Sequence, residues 1–152
     1  KMHIETFKNE TNYAGDISPS MAWQVLKEFK KSTLLDVRTY AELNFVGQPD
    51  LSSINKSVKN IELQIFPSGK LNSEFAKQAE VELENEHIEK GDPILFLCRS
   101  GARSAQSASL MALRGWKNCY NIAFGFEGDP NEYHHRSCVN GWKKEGLPWI
   151  QL

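Results

Sequence analysis

The stretch Ile94-Leu95-Phe96-Leu97-Cys98-Arg99-Ser100-Gly101-Ala102-Arg103-Ser104 decides the fold. Its first five residues form an unbroken apolar run, opened by the turn Gly91-Asp92-Pro93. A run that short, with no alternation, reads as a strand buried on both faces. A basic, glycine-containing loop follows at once, and Ser104 to Arg114 then reads as a helix closed by Gly115. Strand, loop and helix in that order make one unit of a parallel α/β sheet.

Working outward, the same alternation recurs. Ser18-Pro19 pairs a capping serine with a proline at the first helical position. Met21, Ala22, Val25, Leu26 and Phe29 then follow at helical spacing, predicting a helix to about Lys31. Thr33-Leu34-Leu35-Asp36-Val37 reads as a second buried strand, and Tyr40 to Phe45 as a further helical turn or two. One short strand is expected between Val58 and Leu63. Asn72 or Ser73 is expected to cap a helix whose inner face is Phe75, Ala79 and Leu83. Its glutamates, Glu80, Glu82, Glu84, Glu86 and Glu89, read as a solvated face. Asn118 to Ala123 reads as a last strand, and Gly146 and Pro148 as stops in the tail. Helices alternating with short apolar strands predict an α/β fold with a mainly parallel sheet covered on both faces.

The 152 residues suit one domain large enough to bury its own core. A formal charge of −1 offers no electrostatic footprint for nucleic acid or an anionic membrane. Three scattered cysteines, with no Cys-x-x-Cys pair, exclude a disulfide scaffold and a cysteine-rich zinc module. They fit a reducing compartment, with the cytoplasm as the default. No apolar run approaches a membrane span, and the first residues lack a secretory pattern. Residues 1–12 are set apart as an N-terminal tail, starting at Lys1 in a way that fits a trimmed or vector-derived end. Residues 13–152 are expected to form the single domain.

Ligand crevices in open α/β sheets lie at the carboxyl ends of the strands, where Cys98 stands. Loop N–H groups, the first helical turn and two arginines there all favour thiolate over thiol. Only five arginines occur in the chain, and two lie within five residues of Cys98. Gly101 supplies the backbone freedom a tight anion-binding loop requires. The competing reading is a structural cysteine ending a strand, which would need none of these neighbours. Arg99 and Arg103 are expected to attract an anion, although either could serve as a salt-bridge partner. Asp36 is expected to accept N–H bonds from the loop, and Arg38 to pair with Glu42 four residues on.

At these residues the sequence resembles the rhodanese (sulfurtransferase) family. The resemblance runs from about Ile17 to Trp149. It rests on Leu34-Leu35-Asp36-Val37-Arg38 with Glu42, on the loop from Cys98 to Ser104, and on Asn140-Gly141-Trp142 with Gly146-Leu147-Pro148-Trp149. It implies a rhodanese-like five-stranded, mainly parallel sheet wrapped by helices, with the loop closing around the cysteine. It further implies that Cys98 takes a sulfur from a sulfane donor, holds it as a persulfide, and passes it to cyanide or a thiol without metal or cofactor. Arg99, Ser100, Gly101, Ala102, Arg103 and Ser104 would bind the donor, an anion such as thiosulfate. Asp36, Arg38 and Glu42 would support them. Phe45 to Leu51 departs from the Gly-His-Ile-Pro-Gly-Ala segment common in the family, so residues 45–72 read as a variant pocket wall.

A non-catalytic sensing or binding module is the second reading. Phosphatase or arsenate-reductase chemistry is the third, disfavoured because four residues, not five, separate Cys98 from Arg103. His134, His135 and Cys138 have no matching ligand pair and read as an exposed loop rather than a metal site. Tyr133 to Arg136 reads as a possible flap. Cys119 is assigned to the core, Cys138 is a candidate resolving thiol, and Trp23, Trp116, Trp142 and Trp149 are assigned to packing. The size fits a monomer or weak homodimer.

Overall fold

The computed structural model describes residues 2–7 and 10–152. In chain order the elements are β1 (Gly15–Ile17), α1 (Pro19–Glu28), β2 (Thr33–Asp36), α2 (Tyr40–Val46) and β3 (Gln48–Pro49). There follow β4 (Lys59–Asn60), β5 (Gln64–Ile65), β6 (Lys70–Leu71), α3 (Phe75–Asn85) and β7 (Ile94–Leu97). The chain closes with α4 (Ala102–Ala112), β8 (Cys119–Ile122) and β9 (Trp149–Ile150). Five strands form one sheet in the order β1-β8-β7-β2-β4, and each neighbouring pair is parallel.

Side chains alternate across the central strand, which splits the core in two. Phe96 and Cys98 face Phe75, Ala79 and Leu83 of α3 and Ala108 and Met111 of α4. Leu95 and Leu97 face Ala22, Val25 and Leu26 of α1, together with Phe126 and Trp142. Connections leave β2 and β7, adjacent in the sheet, in opposite directions. β2 leads through α2 to β4, and β7 leads through α4 to β8. The carboxyl ends of those two strands therefore flank the switch point, where such sheets hold ligands.

Several boundaries differ from the sequence reading, each for a local reason. α1 stops at Glu28 rather than Lys31 because Phe29 turns extended, and Lys56 Nζ reaches in to hold the Phe29 and Ser32 carbonyls at 2.8 and 2.9 Å. That ammonium supplies the donor a helix C-terminus lacks. α3 begins without a side-chain cap from Asn72 or Ser73; Asn72 Oδ1 instead accepts the Glu74 N–H at 3.1 Å. α4 opens at Ala102, two residues earlier than expected, because Gly101 supplies its left-handed start. β4 covers only two of the residues expected from Val58 to Leu63, although Ile61 and Leu63 still donate to the carbonyls of Asp36 and Val37.

β1 has no counterpart in the sequence reading, and it docks the segment set apart as a tail. Phe7 bridges Asp16, and Met2 and Ile4 pack on the α1 side of the core. Lys1, Lys8 and Asn9 of that tail lie outside the described residues. Residues 45–72 contribute β3, β4 and the β5–β6 hairpin, with β3 pairing antiparallel to β9 near the C-terminus. Trp142 is fully buried, donates from Nε1 to the Pro148 carbonyl at 2.8 Å and meets Trp23 edge-on.

The expected Arg38–Glu42 pair does not form. Arg38, just past β2, turns back to Asp36 at the strand's end, donating from Nε at 2.9 Å and from Nη2 at 2.6 Å. Both side chains are fully buried. Nη2 also holds the Gly47 carbonyl at 2.9 Å, and the guanidinium lies 4.4 Å from the centre of the Phe126 ring. Removing one partner of such a pair strands the other charge in the core. Arg38→Ala is therefore expected to lower unfolding stability by about 3–5 kcal/mol. A paired Asp36→Leu/Arg38→Met variant should recover much of the loss, as read by urea denaturation.

Candidate functional site

Cys98 follows β7 directly and is 2% exposed. Its Sγ accepts the Gly101 N–H at 3.1 Å and lies 3.2 Å from Ser104 Oγ. Gly101 has φ +118°, a conformation that side chains with a Cβ rarely adopt, and this bends its N–H back onto the sulfur. The next three N–H groups, of Ala102, Arg103 and Ser104, open α4, where no intrahelical acceptor exists for them. Amides and dipole thus gather positive potential at the sulfur's end of the helix.

The loop is held from outside by its carbonyls. Phe126 N donates to Cys98 O at 2.8 Å, and Glu127 N and Gly128 N donate to Arg99 O at 3.0 and 3.2 Å. Gly125, at φ +63°, lets that prop approach: a Cβ there would collide with the carbonyl groups of Cys98 and Arg99. With the Cys98 and Arg99 carbonyls held outward, the loop turns the Gly101 N–H onto the sulfur.

Arg103 is taken up by a carboxylate. Its Nη1 and Nη2 donate to Glu42 Oε1 and Oε2 at 2.7 and 2.9 Å, a bidentate fork joining α4 to α2. Glu42 also accepts the Thr39 N–H at 3.0 Å, and Thr39 Oγ1 in turn accepts the Glu42 N–H, completing a capping box. Burial alone would raise the Glu42 carboxyl. The Arg103 hydrogen bonds, the Thr39 amide and the Arg103 charge outweigh burial and hold it at about 2. Glu42, expected to partner Arg38, is thus the partner of Arg103.

Asp36 also departs from expectation. Its Oδ1 accepts the Arg38 N–H at 3.1 Å rather than an N–H of the Cys98 loop. Arg99 is exposed, Ser100 half-buried, and Ser104 fully buried beneath the sulfur.

Two polar residues absent from the sequence reading complete the surroundings. Asn121 on β8 accepts from Ser104 Oγ at 2.5 Å, and its Nδ2 donates to Asp16 Oδ1 at 3.0 Å. Asp16 Oδ1 also accepts from the Tyr13 hydroxyl at 2.8 Å. Burial first, and the Asp16 bond second, push the Tyr13 phenol upward. Asn121 carries a readable signal: an amide 5% exposed within the apolar strand Cys119–Ile122 needs a purpose.

The other two cysteines are chemically unlike Cys98. Burial pushes the Cys119 thiol up to about 12. Cys138 is exposed, its Sγ 3.4 Å from the Arg136 carbonyl. In the expected flap, Asn131 Oδ1 accepts the N–H groups of Tyr133 and His135 at 2.9 Å each. Among the described residues, no group of three or more His, Cys, Asp or Glu side chains is placed to hold a metal ion. No helix there is long and apolar enough to cross a membrane.

A parallel five-stranded α/β sheet with a cysteine at the head of a strand–loop–helix turn defines a rhodanese-like domain, and relatives agree. The chain is 25% identical over 134 residues to the rhodanese-like domain-containing protein 4, chloroplastic, of Arabidopsis thaliana, covering 88% of this chain and 25% of that one. The STR4 middle domain family matches residues 14–152, and the chain belongs to that family. It is 39% identical over 134 residues to the uncharacterized protein RP600 of Rickettsia prowazekii, covering 88% of this chain and 95% of that one. The crystal structure of Rv0390 from M. tuberculosis superposes with a TM-score of 0.80 at 39% identity, covering 92% of this chain and 99% of that one.

Two outcomes follow. Glu42 has a folded value near 2 against an ordinary 4.5, so its stabilisation is present above about pH 4.5 and lost as pH falls toward 2. Glu42→Gln should therefore unfold earlier than wild type at neutral pH, with the gap closing between pH 4.5 and pH 2. Urea titrations at several pH values measure this. In alkylation mapped by mass spectrometry at neutral pH, Cys119 should stay unmodified in the folded chain while Cys138 reacts freely.

Proposed function

We propose that the protein is a sulfurtransferase that carries a sulfane sulfur on Cys98. The observation behind this reading is the sulfur of Cys98 lying 3.1 Å from the Gly101 N–H at the opening of α4. That setting stabilises an anionic sulfur without a general base. With thiosulfate, the Cys98 thiolate attacks the outer sulfur, an S–S bond forms, the bond to the sulfite group breaks, and sulfite departs with its electron pair. Cyanide or a thiolate then attacks the outer sulfur of the persulfide and frees the Cys98 thiolate. No oxidant or metal enters either step.

In this reading the N–H groups from Arg99 to Ser104 surround the transferred sulfur, and Arg99 attracts the anionic donor. Arg103 acts on the loop while clamped to Glu42, and Asp36 and Arg38 support the fold beneath it. Three free thiols suit a reducing compartment such as the cytoplasm, and a monomer or weak homodimer suits the size.

One observation favours the second reading, a non-catalytic binding module: Cys98 is almost completely buried. Intact-mass spectrometry after incubation with thiosulfate separates the two. Wild type is expected to gain one sulfur atom and Cys98→Ser none, with thiocyanate released from wild type on adding cyanide. No gain across thiosulfate, mercaptopyruvate and polysulfide, or equal gain by Cys98→Ser, would refute the proposal.

A further inference from the structure

Ser104 has one hydroxyl proton and three groups that could receive it. Asn121 Oδ1 is at 2.5 Å, while Cys98 Sγ and the Gly101 carbonyl are each at 3.2 Å. The shortest of these is also the one whose direction is fixed from behind. Asp16 offers only acceptors to Asn121, so the Asn121 Nδ2 must face it and Oδ1 must face Ser104. The Tyr13 hydroxyl, a donor at 2.8 Å, reaches the same oxygen, Asp16 Oδ1, and helps hold that carboxylate in place. Protons therefore point from Tyr13 and Asn121 onto Asp16, and from Ser104 onto Asn121. Ser104 is left with a lone pair, not a proton, toward the sulfur. A lone pair welcomes the thiol S–H and opposes the thiolate.

We propose that Asn121, anchored by Asp16, is a positioning residue that commits the Ser104 hydroxyl proton away from Cys98 and restrains the nucleophile until that hydroxyl turns. The proposal deepens the sulfur-transfer reading and rests on Cys98 being the reacting group. Turning the hydroxyl would give the sulfur a second donor beside the Gly101 N–H, at the moment it carries charge. The other charges near Cys98 stay constant in this comparison. Arg103 from α4 is matched by Glu42 from α2, Arg38 by Asp36 at the end of β2, Asp16 lies behind Asn121, and Arg99 is on the loop's exposed side.

The test is a thiolate titration by ultraviolet absorbance on the free protein, each variant corrected by its own Cys98→Ser partner. Asn121→Ala frees the Ser104 proton, for which a charged thiolate outcompetes the neutral Gly101 carbonyl, so the Cys98 titration midpoint should fall by about one pH unit. In a Ser104→Ala background the same substitution should move the midpoint hardly at all. General damage near the site would not produce that dependence on Ser104. Asp16→Asn loosens the amide without deleting it but also removes a negative charge, so only the part of its smaller fall that disappears in the Ser104→Ala background counts, and that part decides the question if Asn121→Ala does not fold. An unchanged or raised midpoint, or an equal fall without Ser104, overturns the proposal. Because no donor is present, a failed sulfur-uptake assay refutes the sulfur-transfer reading while this titration stands on its own result.

Discussion

Much of the architecture around Cys98 depends on the buried ion pair of Asp36 and Arg38. Desolvating two charges in a core costs several kcal/mol per ion, offset only by good geometry and further hydrogen bonds. Here the pair has a carboxylate–guanidinium fork, the Gly47 carbonyl and the Phe126 ring, while Nη1 is left without a partner among the described residues. A pair that leaves one buried donor unused is poorly explained as a stabilising device alone. Its reach explains it better: one guanidinium ties the end of β2 to the turn after α2 and to Phe126. Phe126 in turn holds the carbonyl of Cys98. The backbone of Cys98 is thus referenced to the neighbouring strand through one rigid, planar group.

Charge near the thiol is more balanced than the sequence suggests. Of the three arginines Arg38, Arg99 and Arg103, Arg38 and Arg103 each have a carboxylate partner, leaving Arg99 at the surface. What remains directed at the sulfur is mainly backbone: the Gly101 N–H and the opening turn of α4. Backbone dipoles need no side-chain ordering and do not titrate near neutral pH, so their field is fixed by the fold. Arg38 and Arg103 therefore act as struts, and the polar contact the loop backbone gives the sulfur is the Gly101 N–H.

Sequence alone was legible where local rules decide. The apolar run Ile94–Leu97, the Ser18-Pro19 start and the inner face Phe75-Ala79-Leu83 each correspond to an observed element, because period and capping are properties of neighbours in the chain. β1 escaped because three residues, Gly15 to Ile17, are too few for a period to show. Ion pairing was misjudged for a related reason. Spacing of four suggested Arg38 with Glu42, yet Arg38 lies in the turn between β2 and α2, so helical spacing does not bring the two together. Glu42 meets Arg103 across sixty-one positions, a contact only the sheet order creates. Gly125 was invisible for the same cause, since what it meets is the carbonyls of Cys98 and Arg99, and the polar signal of Asn121 within its strand did not reveal that its partners are Ser104 of α4 and Asp16 of β1.

Burial of Cys98 then bears on what the site can accept. A sulfur 2% exposed, with the Gly101 N–H and Ser104 Oγ about 3 Å away, has little room for a bulky electrophile. A phosphoryl group needs space for several oxygens around its centre, whereas a terminal sulfane sulfur presents one atom at the end of its donor. The four-residue interval between Cys98 and Arg103 points the same way, since Arg103 is drawn onto Glu42 rather than curled over the thiol. On the sulfur-transfer reading, selection thus rests on size at the sulfur and on charge further out, at Arg99. The restraint on Ser104 fits that division: on the same reading its hydroxyl stays committed to Asn121 while Cys98 is a thiol and turns to the sulfur as the attacking thiolate forms.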